Sequence, residues 1–159
     1  MQMRDERAAV VREVRIAARP ETVFSFFTDT AKITRWKGTR ATLDPRPGGL
    51  FWVDVNGRDI VRGEFLEVVP FSRVVFTWGW EREEIGLRPG STTVEVTLVP
   101  DGEGTIVRLL HHGLPDTHRE FHAQGWDHFL PRLVIAAEGR DPGPDPWASS
   151  SNGMEAQSA

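Results

Sequence analysis

The run from Pro115 to Glu138, PDTHREFHAQGWDHFLPRLVIAAE, is the one stretch of this sequence long enough for a helix of about six turns. His118, His122, Trp126, Phe129, Leu133 and Ala136 follow one another at spacings of 4, 4, 3, 4 and 3, which puts them on one face. Gly113 breaks the segment before it, and Pro115 suits a first helical turn, where its missing N–H removes no bond. Gly139 and Pro142 then stop the helix, the first by its tolerance of left-handed backbone and the second by its lack of a donor. A helix of this length with one apolar face needs a broad apolar surface to lie on. The chain before it reads mainly as strand, so an antiparallel sheet is the surface available, and the fold class is α+β.

The chain in order supplies that sheet. Residues 1–9 are polar and read as a flexible N-terminus. Val10–Ala18 alternates well enough for a first strand. Pro20 opens a helix with Val23, Phe24, Phe27 and Ala31 as its apolar stripe, interrupted at Thr28–Thr30. A short second helix follows, with Ile33 and Trp36 facing inward and Gly38 at its end. A meander comes next, with strands at Thr39–Leu43, Leu50–Val55, Asp59–Val69, Arg73–Trp80, Thr92–Val99 and Thr105–His111. Asn56-Gly57 is its strongest hairpin signal, since both positions tolerate positive φ. The loop Glu81–Gly90 is acidic and reads as a solvated rim. Residues 10–139 thus form one domain. Residues 140–159 are rich in Pro, Ser and Gly and read as a disordered tail, with Trp147 as its sole large apolar residue and composition favouring a free Trp147 over a docked one.

Charge and composition exclude several functions. A net charge of −4 and a pI near 5.7 give no general attraction to nucleic acid or anionic membrane. Without cysteine there is no disulfide, thiol nucleophile or zinc–thiolate site. No apolar run is long enough to insert in a membrane, and Met1–Val10 has no hydrophobic signal core, so a cytoplasmic protein is expected.

The two-residue period of strands divides inner from outer side chains. Val94, Val96 and Leu98 share one face, as do Val74, Phe76, Trp78 and Trp80. Val107, Leu109 and His111 share another, which turns His111 inward and His112 outward. The inner inventory is bulky and aromatic: Trp36, Phe51, Phe76, Trp78, Trp80, Trp126 and Phe129. Such rings either fill a core or wall a cleft for an apolar molecule under the helix.

Four stretches in order resemble a known family: Ala18–Phe24 with Trp36; Pro47–Phe51; Gly63–Pro70 running into Arg73–Trp80; and Gly104–Leu114 followed by His122–Trp126. The resemblance covers about residues 10–139. It is to the START and polyketide-cyclase superfamily, and within it to the bacterial branch named after the activator of heat-shock-protein-90 ATPase. It implies a helix-grip fold, in which a curved seven-stranded antiparallel sheet wraps around the long C-terminal helix and two short helices follow the first strand. It also implies a cavity between sheet and helix that admits lipids, polyketides or other hydrophobic small molecules, without specifying one activity. Two departures stand out. The helical pair ends Trp36-Lys37, where many relatives carry adjacent tryptophans, and Pro131 inside the long helix removes the bond to the Asp127 carbonyl and is expected to kink it.

No catalytic motif stands above this background. His118 and His122 are four apart on a helix, but His118-Arg-Glu-Phe-His122 is not H-E-x-x-H, and a third metal ligand would have to be His111 or Asp116. There is no G-x-S-x-G, and the Gly-rich turns do not precede helices as phosphate loops do. Acid–base chemistry by His111, with Glu64 or Glu95 on neighbouring strands, is the enzymatic alternative, of cyclase or dehydratase type. The leading expectation is a non-catalytic binder of a hydrophobic small molecule. Trp36, Phe51, Phe76, Trp78, Trp80, His111, His122, Trp126 and Phe129 would form its site, with no metal and no cofactor. A protein-interaction domain that acts on a chaperone or pairs as a homodimer is the third reading.

Overall fold

A computed structural model describes residues 8–148. Seven strands are present: β1 (Val10–Ile16), β2 (Arg40–Leu43), β3 (Leu50–Asp54), β4 (Ile60–Val69), β5 (Arg73–Trp78), β6 (Thr92–Asp101) and β7 (Gly104–His112). Helices α1 (Pro20–Thr28) and α2 (Thr30–Ile33) follow β1, and α3 (Asp116–Ala137) ends the fold. All strand pairs are antiparallel, in the order β1-β7-β6-β5-β4-β3-β2. This is the expected α+β arrangement of a seven-stranded sheet against one long helix.

The α1–α2 pair turns on a single residue. Asp29 ends α1 with its amide on the Ser25 carbonyl at 2.9 Å, and its carboxylate caps α2 by accepting from the amides of Ala31 at 2.8 Å and Lys32 at 3.1 Å. One further turn, with the Lys37 amide on the Ile33 carbonyl at 2.9 Å, delivers Trp36 and Lys37 into the interior. Arg132 of α3 donates to the Trp36 carbonyl at 3.3 Å and so ties this corner to the long helix. At the other end Arg12 of β1 and Asp127 of α3 form a two-pronged ion pair at 2.6 and 3.1 Å. Between these ties lies the core, where Val74, Phe76, Trp78, Trp80, Val94, Val96, Leu98, Val107 and Leu109 are buried as their shared faces require.

Several local expectations are corrected. Pro115 caps α3 from outside rather than opening its first turn. Phe26, outside the expected stripe of α1, is buried, because that helix is covered on two sides. The Asn56-Gly57 turn is wider than a two-residue hairpin: Asp54 pairs with Ile60, and Gly57 alone takes a positive φ, of 86°. Asn56 instead uses its side chain, accepting from the amides of Arg58 at 3.0 Å and Asp59 at 2.8 Å. The rim loop is anchored by Arg82, which reaches the buried Asp59 at 2.5 Å.

The segment after α3 also differs from a free tail. Residues 140–148 fold back onto α3, where Arg132 donates to the carbonyls of Gly143 at 2.9 Å and Pro142 at 3.4 Å. The Trp147 ring stacks on His128 with centroids 3.8 Å apart and planes 8° apart, and meets Phe129 edge-on at 5.6 Å. Average composition cannot register one ring finding another. Residues 149–159 and 1–7, where the rest of the tail and the flexible N-terminus were expected, lie outside the described residues.

Candidate ligand-binding cleft

Three elements converge under the N-terminal half of α3. From β5 and its continuation come Trp78 and Trp80, both facing inward because two residues separate them. Gly79 between them is required by space: a Cβ there would lie 1.8 Å from the Arg88 carbonyl oxygen. That close approach lets the Trp80 amide bond the Leu87 carbonyl at 2.7 Å, which fixes the indole. α3 contributes His122, Trp126 and Phe129, one helical face. The α2 corner contributes Lys37.

Both inward histidines are tied to tryptophans. Trp126 Nε1–H donates to His111 Nδ1 at 3.0 Å, so Nε2 carries the His111 proton. That Nε2 lies 2.9 Å from Thr92 Oγ1, whose own hydroxyl donates to the Trp78 carbonyl at 2.9 Å. In the second pair Trp80 Nε1–H donates to His122 Nε2 at 3.0 Å, and His122 Nδ1–H donates to the His118 carbonyl at 2.8 Å. An indole can only donate, so each histidine must be neutral to accept. Burial drives both in that direction. His111, 0% exposed, is pushed well below its ordinary 6.5 by desolvation, then by His122, His112 and Lys37; His122 falls to about 4, chiefly by desolvation.

Two other polar groups are left over. Trp78, 2% exposed, has its Nε1–H buried with no acceptor among the described residues. Lys37 is 4% exposed, and its ammonium lies over the rings of Phe129, Trp78 and Trp126, at 3.8, 4.9 and 5.5 Å from their centroids. Burial lowers its pKa from 10.5 to about 7, opposed through space by Asp145.

Lys37, Trp78, Trp80, Phe121, His122, Gly125, Trp126, Phe129 and Trp147 surround a cleft whose volume is about 20 Å³, room for a single water. Of the residues expected to form a site, Trp78, Trp80, His122, Trp126 and Phe129 therefore line it. His111 sits behind them, 5.4 Å from Trp78 between ring centroids. Trp36 packs edge-on against Phe27, and Phe51 stacks on Phe76 at 4.0 Å; Trp36, Phe51 and Phe76 thus belong to the core and not to the lining. The carboxylates expected beside His111 are elsewhere. Glu95 is on the outer face, held by His112 at 2.7 Å and Arg73 at 2.8 Å, and Glu64 is exposed. Among the described residues no three metal-ligating side chains come together.

Sequence reasoning did not place Lys37, Thr92, Phe121, Gly125 or Trp147 at the site. Lys37 carried a signal, as one of two lysines in the chain and a charge directly following an inward tryptophan. Thr92 carried one too, sharing the parity of Val94 and Val96.

The fold recurs in known proteins. The solution structure of an AHSA1-like protein from Rhizobium etli is 46% identical, with a TM-score of 0.70 and a match over 89% of each chain. CalU16 from Micromonospora echinospora is 27% identical, with a TM-score of 0.69 over 94% of this chain and 81% of that one. The Aha1 dimer from Colwellia psychrerythraea shares the fold at 20% identity, with a TM-score of 0.70 over 82% and 96%. No curated protein matches the chain. A model of one family, Activator of Hsp90 ATPase homolog 1-like protein, matches residues 17–138, which include every lining residue except Trp147. The chain belongs to that family.

Proposed function

We propose that this chain binds a ring-bearing apolar small molecule in the cleft under α3 and does no chemistry on it. The observation that carries the reading is the Trp78 Nε1–H, a buried donor with no acceptor among the described residues, on a ring of a cleft lined mostly by rings. Buried donors in folded proteins are nearly always paired, and an unpaired one on a ring that lines a cleft is a place for a ligand's acceptor.

At about 20 Å³ the cleft has no room for a small molecule. Small-molecule sites are roughly 300–1,000 Å³, so a wall must move. Of the walls, only Lys37 and Trp147 lie outside the sheet and α3, and of these two Trp147 is the half-buried one, after the last helix. An aromatic ligand replaces it like for like, stacking on His128 and meeting the edge of Phe129. His111 favours binding over acid–base catalysis, because both of its ring nitrogens are engaged, by Trp126 and Thr92.

Native mass spectrometry after incubation with a mixed lipid and polyketide library tests the reading. Wild type retains ring-bearing apolar compounds and Trp147→Ala retains more of them. Retention of nothing apolar by either protein refutes it.

A further inference from the structure

We infer that the cleft selects anionic ring compounds, aromatic carboxylates or phenolates whose charged oxygen is held between Lys37 Nζ and the Trp78 Nε1–H. This rests on the ring-binding reading and names the class of ligand within it. Two independent observations lead there.

The first is the state of Lys37. A lysine on an apolar surface ordinarily runs its stem along that surface and keeps its ammonium in water. Lys37 does the reverse: its nitrogen is turned inward over three rings, and no described residue accepts a hydrogen bond from it. Cation–π contact offsets only part of the cost of removing an ammonium from water. The Trp78 indole it lies over has the unpaired N–H. Two donors on side chains that line one cleft, neither with an acceptor among the described residues, define the complement, an oxygen carrying negative charge.

The second is what fills the place at present. The strap 145–147 brings a carboxylate and an indole together: Asp145 Oδ1 accepts from His128 Nε2 at 2.7 Å and from the Trp147 amide at 2.9 Å, while Trp147 lines the cleft. Asp145 acts on Lys37 through space without bonding it, and its buried Oδ2 has no hydrogen bond among the described residues, only the ion pair with Arg132 Nε at 4.0 Å. The strap is thus an imperfect aromatic acid belonging to the chain itself. A ligand that displaces Trp147 takes away Asp145 as well, and a neutral ligand would leave Lys37 with no negative charge nearby. An aromatic acid replaces both.

The test uses 2-naphthoate and its neutral near-isostere 2-acetylnaphthalene, titrated calorimetrically into the full chain. At about pH 6, wild type binds naphthoate at least about tenfold more tightly than the ketone, as a charge-assisted bond gives. Lys37→Met removes most of that preference, because it weakens naphthoate far more than the ketone. Lys37→Arg keeps the charge and retains most of the preference. Naphthoate affinity falls between about pH 6 and pH 9 as the free amine loses its proton, the ketone's does not, and binding above neutrality takes up a proton. His111, His122, His128, Arg132 and Asp145 surround the same space, so the pH series is repeated in Lys37→Met, where the dependence disappears. If Lys37→Met fails to fold, the wild-type preference and its pH dependence still decide. Equal binding of both probes by wild type, insensitive to pH, overturns the inference and leaves ring binding standing. Failure of both probes to bind wild type and Trp147→Ala removes the ring-binding reading as well.

Discussion

Acidification strikes the two tryptophan-bound histidines, and the size of its effect follows from their burial. A protonated imidazole has no lone pair to accept an indole N–H, so the bonds Trp126–His111 and Trp80–His122 exist only with neutral rings. In the unfolded chain both histidines take up protons near their ordinary 6.5, whereas folded His122 resists until about 4 and folded His111 is also held well below 6.5. Between those values the unfolded state binds more protons, so stability falls as pH falls. At about 1.4 kcal/mol per unit, the His122 displacement alone contributes on the order of 3 kcal/mol, present above pH 6.5 and lost by about pH 4. His111 adds to it with the same sign. Against a typical total of about 5–15 kcal/mol this is a large fraction. Urea unfolding followed by tryptophan fluorescence, in steps from about pH 7 to pH 5, reads the slope where few carboxylates titrate. His122→Gln, which can still accept from Trp80 and donate to the His118 carbonyl, flattens it. A stability constant across that window, or a slope unchanged by His122→Gln, refutes the argument.

Lys37 acts in the opposite pH range. Its pKa is lowered from 10.5 to about 7, so the unfolded chain holds the extra proton between those values and stability rises with pH there. Lys37→Met removes this rise and gains a few kcal/mol at about pH 6, measured by denaturant unfolding. Trp36→Ala costs about 3–5 kcal/mol and drops the melting temperature sharply, because the ring is 1% exposed, packs on Phe27 and donates to the Phe26 carbonyl at 3.0 Å. Pro131→Ala restores a donor for the Asp127 carbonyl inside α3 and raises stability by roughly 1–3 kcal/mol in thermal unfolding. Trp147→Ala costs only about 1–2 kcal/mol of stability but tightens binding of apolar probes, as titration calorimetry will show.

The sheet was legible because strands bury alternate residues, and that period is written in the sequence itself. Val94-Val96-Leu98 and Phe76-Trp78-Trp80 announce their faces without help from the rest of the chain. The long helix was legible for the same reason at period 3.6. Less legible were contacts between elements remote in sequence. The inward turn of His111 follows from parity, but its acceptance of the Trp126 N–H depends on how α3 lies across β7. The pairing of Glu95 with His112 rather than His111 also follows from parity, and the carboxylates proposed for His111 fail on that ground. Trp147 was the hardest, since docking depends on the His128 ring on a flank of α3 where no apolar period points. Lys37 needed three rings from two distant elements before its position had meaning.

The polar groups of this interior divide into two kinds, and the division supports the proposed binding site. Thr92, His111, His122 and the indoles of Trp80 and Trp126 satisfy one another and the backbone, and a core built this way specifies one packing without needing a ligand. The Trp78 N–H and the Lys37 ammonium gain nothing from their neighbours' hydrogen bonds. Were they merely structural, a phenylalanine and a methionine would serve the core better. Both belong to side chains that line the same cleft, and Trp147, from the segment outside the regular fold, lines it too. Groups that weaken a fold and converge on one displaceable wall are accounted for by what replaces that wall.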